Sequence, residues 1–145
     1  LLLALTGFYF APHLRTYLDT SAPALPRVRL GQIHCTLGTT CMVHQGQQGL
    51  SLNLPSTMRT LTPYPLDLHL TGLTPQRVEA QLLMQGMEMH LPPTVFHPTA
   101  SPTRWIATII LPVCSLGRSD WQMQITAQEA TRQLQADFTF QLAAE

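Results

Sequence analysis

The sequence contains no lysine and few charged residues of any kind. Its eight basic residues are all arginine, they are balanced by eight acidic residues, and charged residues make up 11% of the chain. That share is less than half of what is usual in a soluble domain. Affinity for a phosphate backbone grows with clustered positive charge, and no basic run is present. The composition therefore argues against nucleic acid as a partner.

Recognisable catalytic motifs are missing as well. The sequence has no G-x-S-x-G elbow, no phosphate-binding glycine loop and no H-E-x-x-H pair. Its eight carboxylates are scattered along the chain, and no two of them have a spacing typical of acid/base catalysis. We therefore expect a protein that is not an enzyme and that has no small-molecule substrate.

Long hydrophobic runs are confined to the start of the chain. Residues 1–10 (LLLALTGFYF) are apolar except for Thr6 and Gly7, but a helix needs about 20 residues to span a bilayer. We interpret residues 1–18 as the C-terminal part of a transmembrane anchor or signal segment. The alternative is an amphipathic helix packed on the domain or on a partner. A membrane is thus one expected partner, and residues 19–27, which contain TSAPALP, are predicted to be a linker.

Alternation of apolar and polar residues dominates residues 28–145, the predicted folded domain, and indicates strands. Six strands are predicted, over residues 50–54, 66–70, 77–84, 104–111, 121–125 and 134–140. The strand over 104–111 is rich in β-branched and aromatic residues, which favours burial on both of its faces. Residues 127–133 are predicted to form a hairpin connection. Short strands separated by turns at this spacing predict an all-β sandwich or barrel of about seven antiparallel strands.

Methionine and histidine are concentrated in residues 84–97 (MQGMEMHLPPTVFH), which hold three of the six methionines and two of the six histidines. In a strand, Met87 and Met89 point to the same face because side chains alternate. Gly86 permits a bend that brings Met84 nearby. Thioethers are soft ligands that favour Cu(I), and imidazole also binds copper.

Two interpretations of this segment stay open. In the first, Met87 and Met89 bind copper(I), and Met84, His90 or His97 completes the site. In the second, the methionines fill irregular gaps in the core, as methionine at alternate strand positions often does. The first interpretation predicts a metal site, and the second predicts none.

The three cysteines fall into a close pair and a single residue. In an oxidising compartment, a disulfide between Cys35 and Cys41 is geometrically reasonable. The alternative is a metal site that uses Cys41, Met42 and His44. Cys114 follows an apolar strand and is predicted to be a small buried residue, with a free thiol or a further metal ligand as the alternative.

A structural role is predicted for three residues that follow Cys114 closely. Arg118 can pair with Asp120 or hold a turn. Trp121 is large and apolar enough to fill the core between two sheets.

Three short motifs together resemble a known family. They are Met84-x-x-Met87-x-Met89, Leu111-Pro112-Val113-Cys114 and Gly117-Arg118-x-Asp120-Trp121. They are similar to the FixH and YtkA-like proteins, which are membrane-anchored periplasmic proteins of proteobacteria. The most recognisable element of these proteins is a GMxM strand, here Gly86-Met87-Glu88-Met89. The likeness covers residues 48–142, and His90 departs from it because a small residue, often glycine, is expected there.

The resemblance implies an immunoglobulin-like β-sandwich behind a single transmembrane helix, at the bacterial inner membrane with the domain facing the periplasm. It also implies copper delivery or the assembly of respiratory oxidases. We therefore expect an accessory protein that binds copper(I) through a Met/His cluster and acts on an oxidase or a metal-transport complex. The alternative is a metal-free interaction module that docks on a membrane complex through a sheet edge or an apolar patch.

Overall fold

The computed structural model describes residues 24–87 and 89–142 of the chain. The predicted anchor over residues 1–18 and most of the predicted linker over 19–27 lie outside these residues. Within them, the prediction of an all-β sandwich is confirmed, because ten strands form two facing five-stranded sheets. None of the described residues belongs to a helix long and apolar enough to cross a membrane.

The strands follow one another as short segments joined by turns. In chain order they are β1 (Arg27–His34), β2 (Thr40–Gln45), β3 (Gln48–Asn53), β4 (Pro63–Thr71), β5 (Arg77–Leu83), β6 (Thr94–Val95), β7 (His97–Pro98), β8 (Arg104–Ile110), β9 (Asp120–Gln128) and β10 (Gln133–Gln141). Sheet A has the order β1-β10-β9-β5-β6, and sheet B has the order β2-β3-β4-β8-β7. Neighbouring strands pair antiparallel, except that β1 pairs with β10 in parallel.

The structure adds four strands to the six that alternation predicts. Two of them, β1 and β2, are full-length edge strands. The other two, β6 and β7, have two residues each and lie in different sheets. Phe96 stands between β6 and β7 and is buried where the chain crosses from one sheet to the other. The segment 127–133 contains the predicted hairpin turn, which Glu129 closes by donating its backbone N–H to the carbonyl of Arg132 at 2.9 Å.

Alternation places one face of each long strand in a shared core. In β9 and β10 the inward positions are fully buried, and the outward positions are mostly glutamine and threonine. The buried side chains of these two strands are Trp121, Met123, Ile125, Ala127, Leu134, Ala136, Phe138 and Phe140. Complete burial of a large apolar side chain stabilises a fold by about 1.5–3 kcal/mol, so this double row is a main source of stability.

The prediction that residues 104–111 are buried on both faces is wrong. Burial alternates along β8, so that Trp105, Ala107 and Ile109 point into the core while the residues between them point outward. Ile106 is 42% exposed and Ile110 is 54% exposed. The physical reason is that sheet B has no further layer of described residues on its outer side.

The sandwich has two ends, and they differ in what they carry. The chain enters where β10 begins, because the carbonyl of Pro26 accepts a hydrogen bond from the amide of Gln133. Over its eight residues, β1 then extends about 26 Å to the opposite end. We call that opposite end, which carries the loops over 35–39, 54–62, 84–90 and 111–119, the distal end.

Candidate functional site

The methionine segment forms a tight turn at the distal end instead of a longer strand. β5 ends at Leu83, and the amide of Met87 donates a hydrogen bond to the carbonyl of Met84 at 3.1 Å. Gly86 has a φ of 78°, in the left-handed region that a residue with a side chain rarely adopts. The structure therefore has the bend that the glycine permits, and among the described residues neither Met87 nor Met89 belongs to one of the ten strands.

The three methionines of this turn differ in their access to solvent. Met84 is 2% exposed and belongs to the core, so its thioether cannot reach a metal at the surface. Met87 and Met89 are partly buried and pack against the edge of the core. His90, which follows them, is exposed. Two thioethers and one imidazole of the predicted set thus lie within one short segment at the surface of the distal end.

His97 lies away from this segment. After the methionines the chain runs back along β5, where β6 pairs with Glu79 and Ala80 in the middle of that strand. His97 then pairs with Ile106 of sheet B. The expectation that His97 could complete the methionine site is wrong, because the two short strands hold His97 at the middle of the sandwich.

An arginine–aspartate pair stands next to the methionine turn. Arg118 binds the carboxylate of Asp120 through two N–H groups, at 2.9 Å from Nε and 2.5 Å from Nη2. The hydrogen bond from Arg118 lowers the pKa of the Asp120 carboxyl, and the same bond raises the pKa of Arg118. A polar cleft is lined by Gln85 of the turn, by Asp120 and by His34. The pair therefore places a neutralised, hydrogen-bonded group beside the turn.

Trp121 follows this pair directly and has a different role. Its side chain is buried within sheet A, opposite Phe140 in the strand register. The indole Nε1 has no hydrogen-bond partner. Trp121 therefore acts through packing and anchors the start of β9 in the core.

The cysteines are arranged as one disulfide and one thiol. Cys35 and Cys41 are bonded, with their Cα atoms 5.8 Å apart, and both side chains are buried. The bond makes Cys41 unavailable for a metal site with Met42 and His44. Cys114 has a free thiol and is half-buried against the edge of the core, so the predicted burial is only partial.

Cys114 lies at the distal end, in the loop that joins β8 to β9. Its carbonyl accepts a hydrogen bond from the amide of Gly117 at 3.0 Å, which closes a turn in that loop. The distal end thus brings together partly exposed sulfur atoms from two loops.

Sequence reasoning missed two features of this surface. Three apolar side chains at the distal end, Leu61, Val113 and Leu116, are exposed. Asp137 is buried although it occupies an outward position of β10. Neither feature has a signal in the pattern of residues, because alternation does not show whether an outward position is covered or a loop residue is exposed.

Neither a cluster of common metal-binding side chains nor a matching known protein is found for the described domain. Among residues 24–87 and 89–142, no three His, Cys, Asp or Glu side chains are grouped so that they could hold a metal ion. Searches against known proteins find no family model, no curated protein and no solved structure that matches the chain.

Proposed function

We propose that this protein is a membrane-anchored extracytoplasmic accessory protein that carries copper(I) as cargo on Met87 and Met89. The observation that carries the proposal is the surface turn that holds both thioethers, with His90 next in the chain, at the distal end. Thioethers prefer Cu(I) to harder cations, and an imidazole is a suitable further ligand. Met84 and His97 have no place in the proposed site.

The arrangement of the two ends supports a delivery role. The chain reaches the sandwich at one end, and the methionine turn is at the other, about 26 Å away along β1. If residues 1–18 anchor the chain in a membrane, the turn faces away from the bilayer. A metal held there is accessible to the extracytoplasmic part of an oxidase or a metal-transport complex.

The disulfide supports the proposed location. Disulfides persist in oxidising compartments and are rare where thiols are kept reduced. The Cys35–Cys41 bond is buried at the distal end, and it closes the loop over 35–39 that joins β1 of sheet A to β2 of sheet B. We place the domain in the periplasm of a bacterium, and we assign the sandwich to the immunoglobulin-like type that the FixH and YtkA-like resemblance implies.

The proposal is tested by competition for copper. The 145-residue chain is titrated with Cu(I), kept reduced by ascorbate, against a chelator of known affinity. We expect the Met87→Leu/Met89→Leu variant to bind at least about tenfold more weakly, a loss of about 1.4 kcal/mol. Leucine conserves the volume of methionine, so packing at the edge of the core is retained.

Met42→Leu is the matched control for this titration. Met42 is 57% exposed on β2, an edge strand of sheet B, whereas the methionine turn follows β5 of sheet A, and the Met42 thioether is available to solvent. The control variant is expected to keep the affinity of the original chain. Equal affinity of the double variant and the original chain, or an equal loss in Met42→Leu, would exclude the proposed site.

A second function is favoured by the exposed apolar residues of the distal end. Leu61, Val113 and Leu116 project from two loops there, and clustered exposed apolar side chains often mark protein interaction sites. In this alternative the domain docks on a membrane complex without metal. Co-purification of a complex from native membranes that is lost in Leu116→Asp and kept in Met87→Leu/Met89→Leu would favour it.

A further inference from the structure

One edge of sheet B is only partly covered by its neighbouring strand. β8 is bordered by β4 on one side and by β7 on the other, and β7 pairs only with Trp105 and Ile106. Beyond Ile106, the described residues place no strand on that side of β8. A groove lined by Val95, Ile106 and Thr108 lies at the start of this stretch.

The backbone groups of Thr108 and Ile110 point toward this open side. Their partners in β4 are Pro65 and Pro63, which have no N–H to donate, so these two pairs cannot exchange ladder hydrogen bonds. Backbone groups alternate in direction along a strand, so the odd-numbered residues of this stretch point toward β4. The carbonyl of Leu111, for example, accepts a hydrogen bond from the amide of Leu61 on the β4 side. Two amide N–H groups and two carbonyl groups therefore face this open side, where no strand of the described residues pairs with them.

The side chains along this edge do little to prevent pairing. Natural edge strands are commonly protected by lysine, by proline or by inward charges. The chain has no lysine, and the open stretch of β8 is Thr108, Ile109 and Ile110. Ile110 is more than half exposed on the outer face. An uncharged, β-branched strand with free hydrogen-bonding groups is suited to bind another strand.

We propose that the open edge of β8 pairs antiparallel with the same edge of a second copy of this chain. A two-fold axis at Ile109 places Thr108 opposite Ile110 of the partner copy, and Ile110 opposite its Thr108. Each such pair exchanges two hydrogen bonds, so all four free groups of each edge are used. Aligned β-branched pairs on the outer face add to the contact.

The self-complementarity of the edge is what identifies a second copy as the occupant. A register shifted toward Ile106 would displace β7, whose His97 pairs there. A register shifted the other way would oppose Thr108 to Pro112, which has no N–H. Only the axis at Ile109 uses both free residues of both copies. The pairing is short, so we expect weak association that depends on concentration and does not involve copper.

Analytical ultracentrifugation of the full chain over a range of concentrations tests this inference. We expect reversible dimerisation that Ile110→Lys weakens at least about tenfold, because the variant puts a like charge on the outer face of both paired edges, each lysine opposite Thr108 of the other copy. Leu116→Lys is the control, since it puts the same charge on an exposed apolar residue outside the edge. Dimerisation that Ile110→Lys leaves unchanged, or that both variants weaken equally, would overturn the proposal.

Hydrogen exchange identifies the strand that pairs. The amides of Thr108 and Ile110 are expected to exchange rapidly in dilute solution and to become protected as the concentration rises. Rapid exchange at all concentrations would show that the edge stays open. Protection that does not depend on concentration would show that another part of the same chain, such as residues 1–10, covers the edge. Both results contradict a dimer.

Discussion

Asp137 provides a sharp test of how the sandwich tolerates a buried charge. Its carboxylate is 1% exposed, and Oδ2 accepts a hydrogen bond from Nη2 of Arg29 at 2.5 Å. The other oxygen, Oδ1, has no partner. The strand register places Gln32 and Gln124 on either side of it. Removal of the guanidinium therefore leaves a buried carboxylate with neither oxygen paired.

The burial of the pair sets the expected change in the free energy of unfolding. Breaking a buried ion pair by removing one partner costs about 3–5 kcal/mol. Because Arg29 is 66% exposed, water can replace part of the lost interaction. We expect Arg29→Met to lower the free energy of unfolding by about 2 kcal/mol, which moves the urea midpoint by about 1 M. Methionine keeps the apolar stem of the arginine, so the loss reports the charge.

A variant that lacks both charges shows whether the instability of Arg29→Met comes from the lost ion pair or from the unpaired carboxylate that stays buried. In Arg29→Met/Asp137→Leu both charges are absent, and burying apolar residues instead of an ion pair is often neutral or favourable. We expect its stability to lie within about 1 kcal/mol of the original chain. Urea unfolding followed by fluorescence of the buried Trp105 and Trp121 measures these differences with the disulfide intact.

Arg77→Met is the matched control for this series. Arg77 binds Glu79 at 3.1 Å, but both side chains are more than a third exposed. Exposed pairs contribute about 0–1 kcal/mol, so we expect little change. A loss of stability in Arg29→Met no larger than that in Arg77→Met, or a double variant as unstable as Arg29→Met, would contradict a buried ion pair of this strength.

Two further predictions concern stability. The Cys35–Cys41 bond has a sequence separation of 6, and closing so short a loop stabilises the fold by about 2 kcal/mol. Urea midpoints that do not move when the bond is reduced would contradict this value. The pKa of Glu129 is lowered, first by the hydrogen bond from the amide of Thr74 and also by Arg132. A lowered pKa means that the ionised carboxylate stabilises the fold above its usual pKa and that this contribution is lost as the pH falls through the folded value. Glu129→Gln should therefore destabilise the protein at neutral pH and less at about pH 3, and an equal loss at both would count against this assignment.

Much of the fold is predictable from alternation alone. The six predicted strands correspond to β3, β4, β5, β8, β9 and β10, which carry the buried leucines and aromatic residues of both sheets. Alternation does not predict β1 because Arg27, Arg29 and Gly31 weaken the apolar period of this strand. Gly31 also marks a bulge in the pairing of β1 with β10. Parallel pairing of β1 also depends on contacts across more than 100 residues, which no local pattern records.

The candidate site was less predictable because its residues depend on tertiary structure. A glycine at position 86 permits either a bulge in a strand or a turn, and only the positive φ decides between them. The burial of Met84 depends on packing from both sheets, so the sequence does not show that Met84 is buried while Met87 is partly exposed. His97 is placed by β7, and two residues are too few to be predicted as a strand.

Methionine-methyl NMR detects copper(I) binding at individual thioethers of the chain. The six methionines include Met58, Met84 and Met123 in the core and the exposed Met42 on β2, so the chain contains its own controls. On addition of Cu(I), we expect the methyl resonances of Met87 and Met89 to shift together and to reach their end points at one equivalent, while the other four stay in place. A shift of Met42 of the same size, or no shift of Met87 and Met89, would contradict a copper(I) site at the distal end.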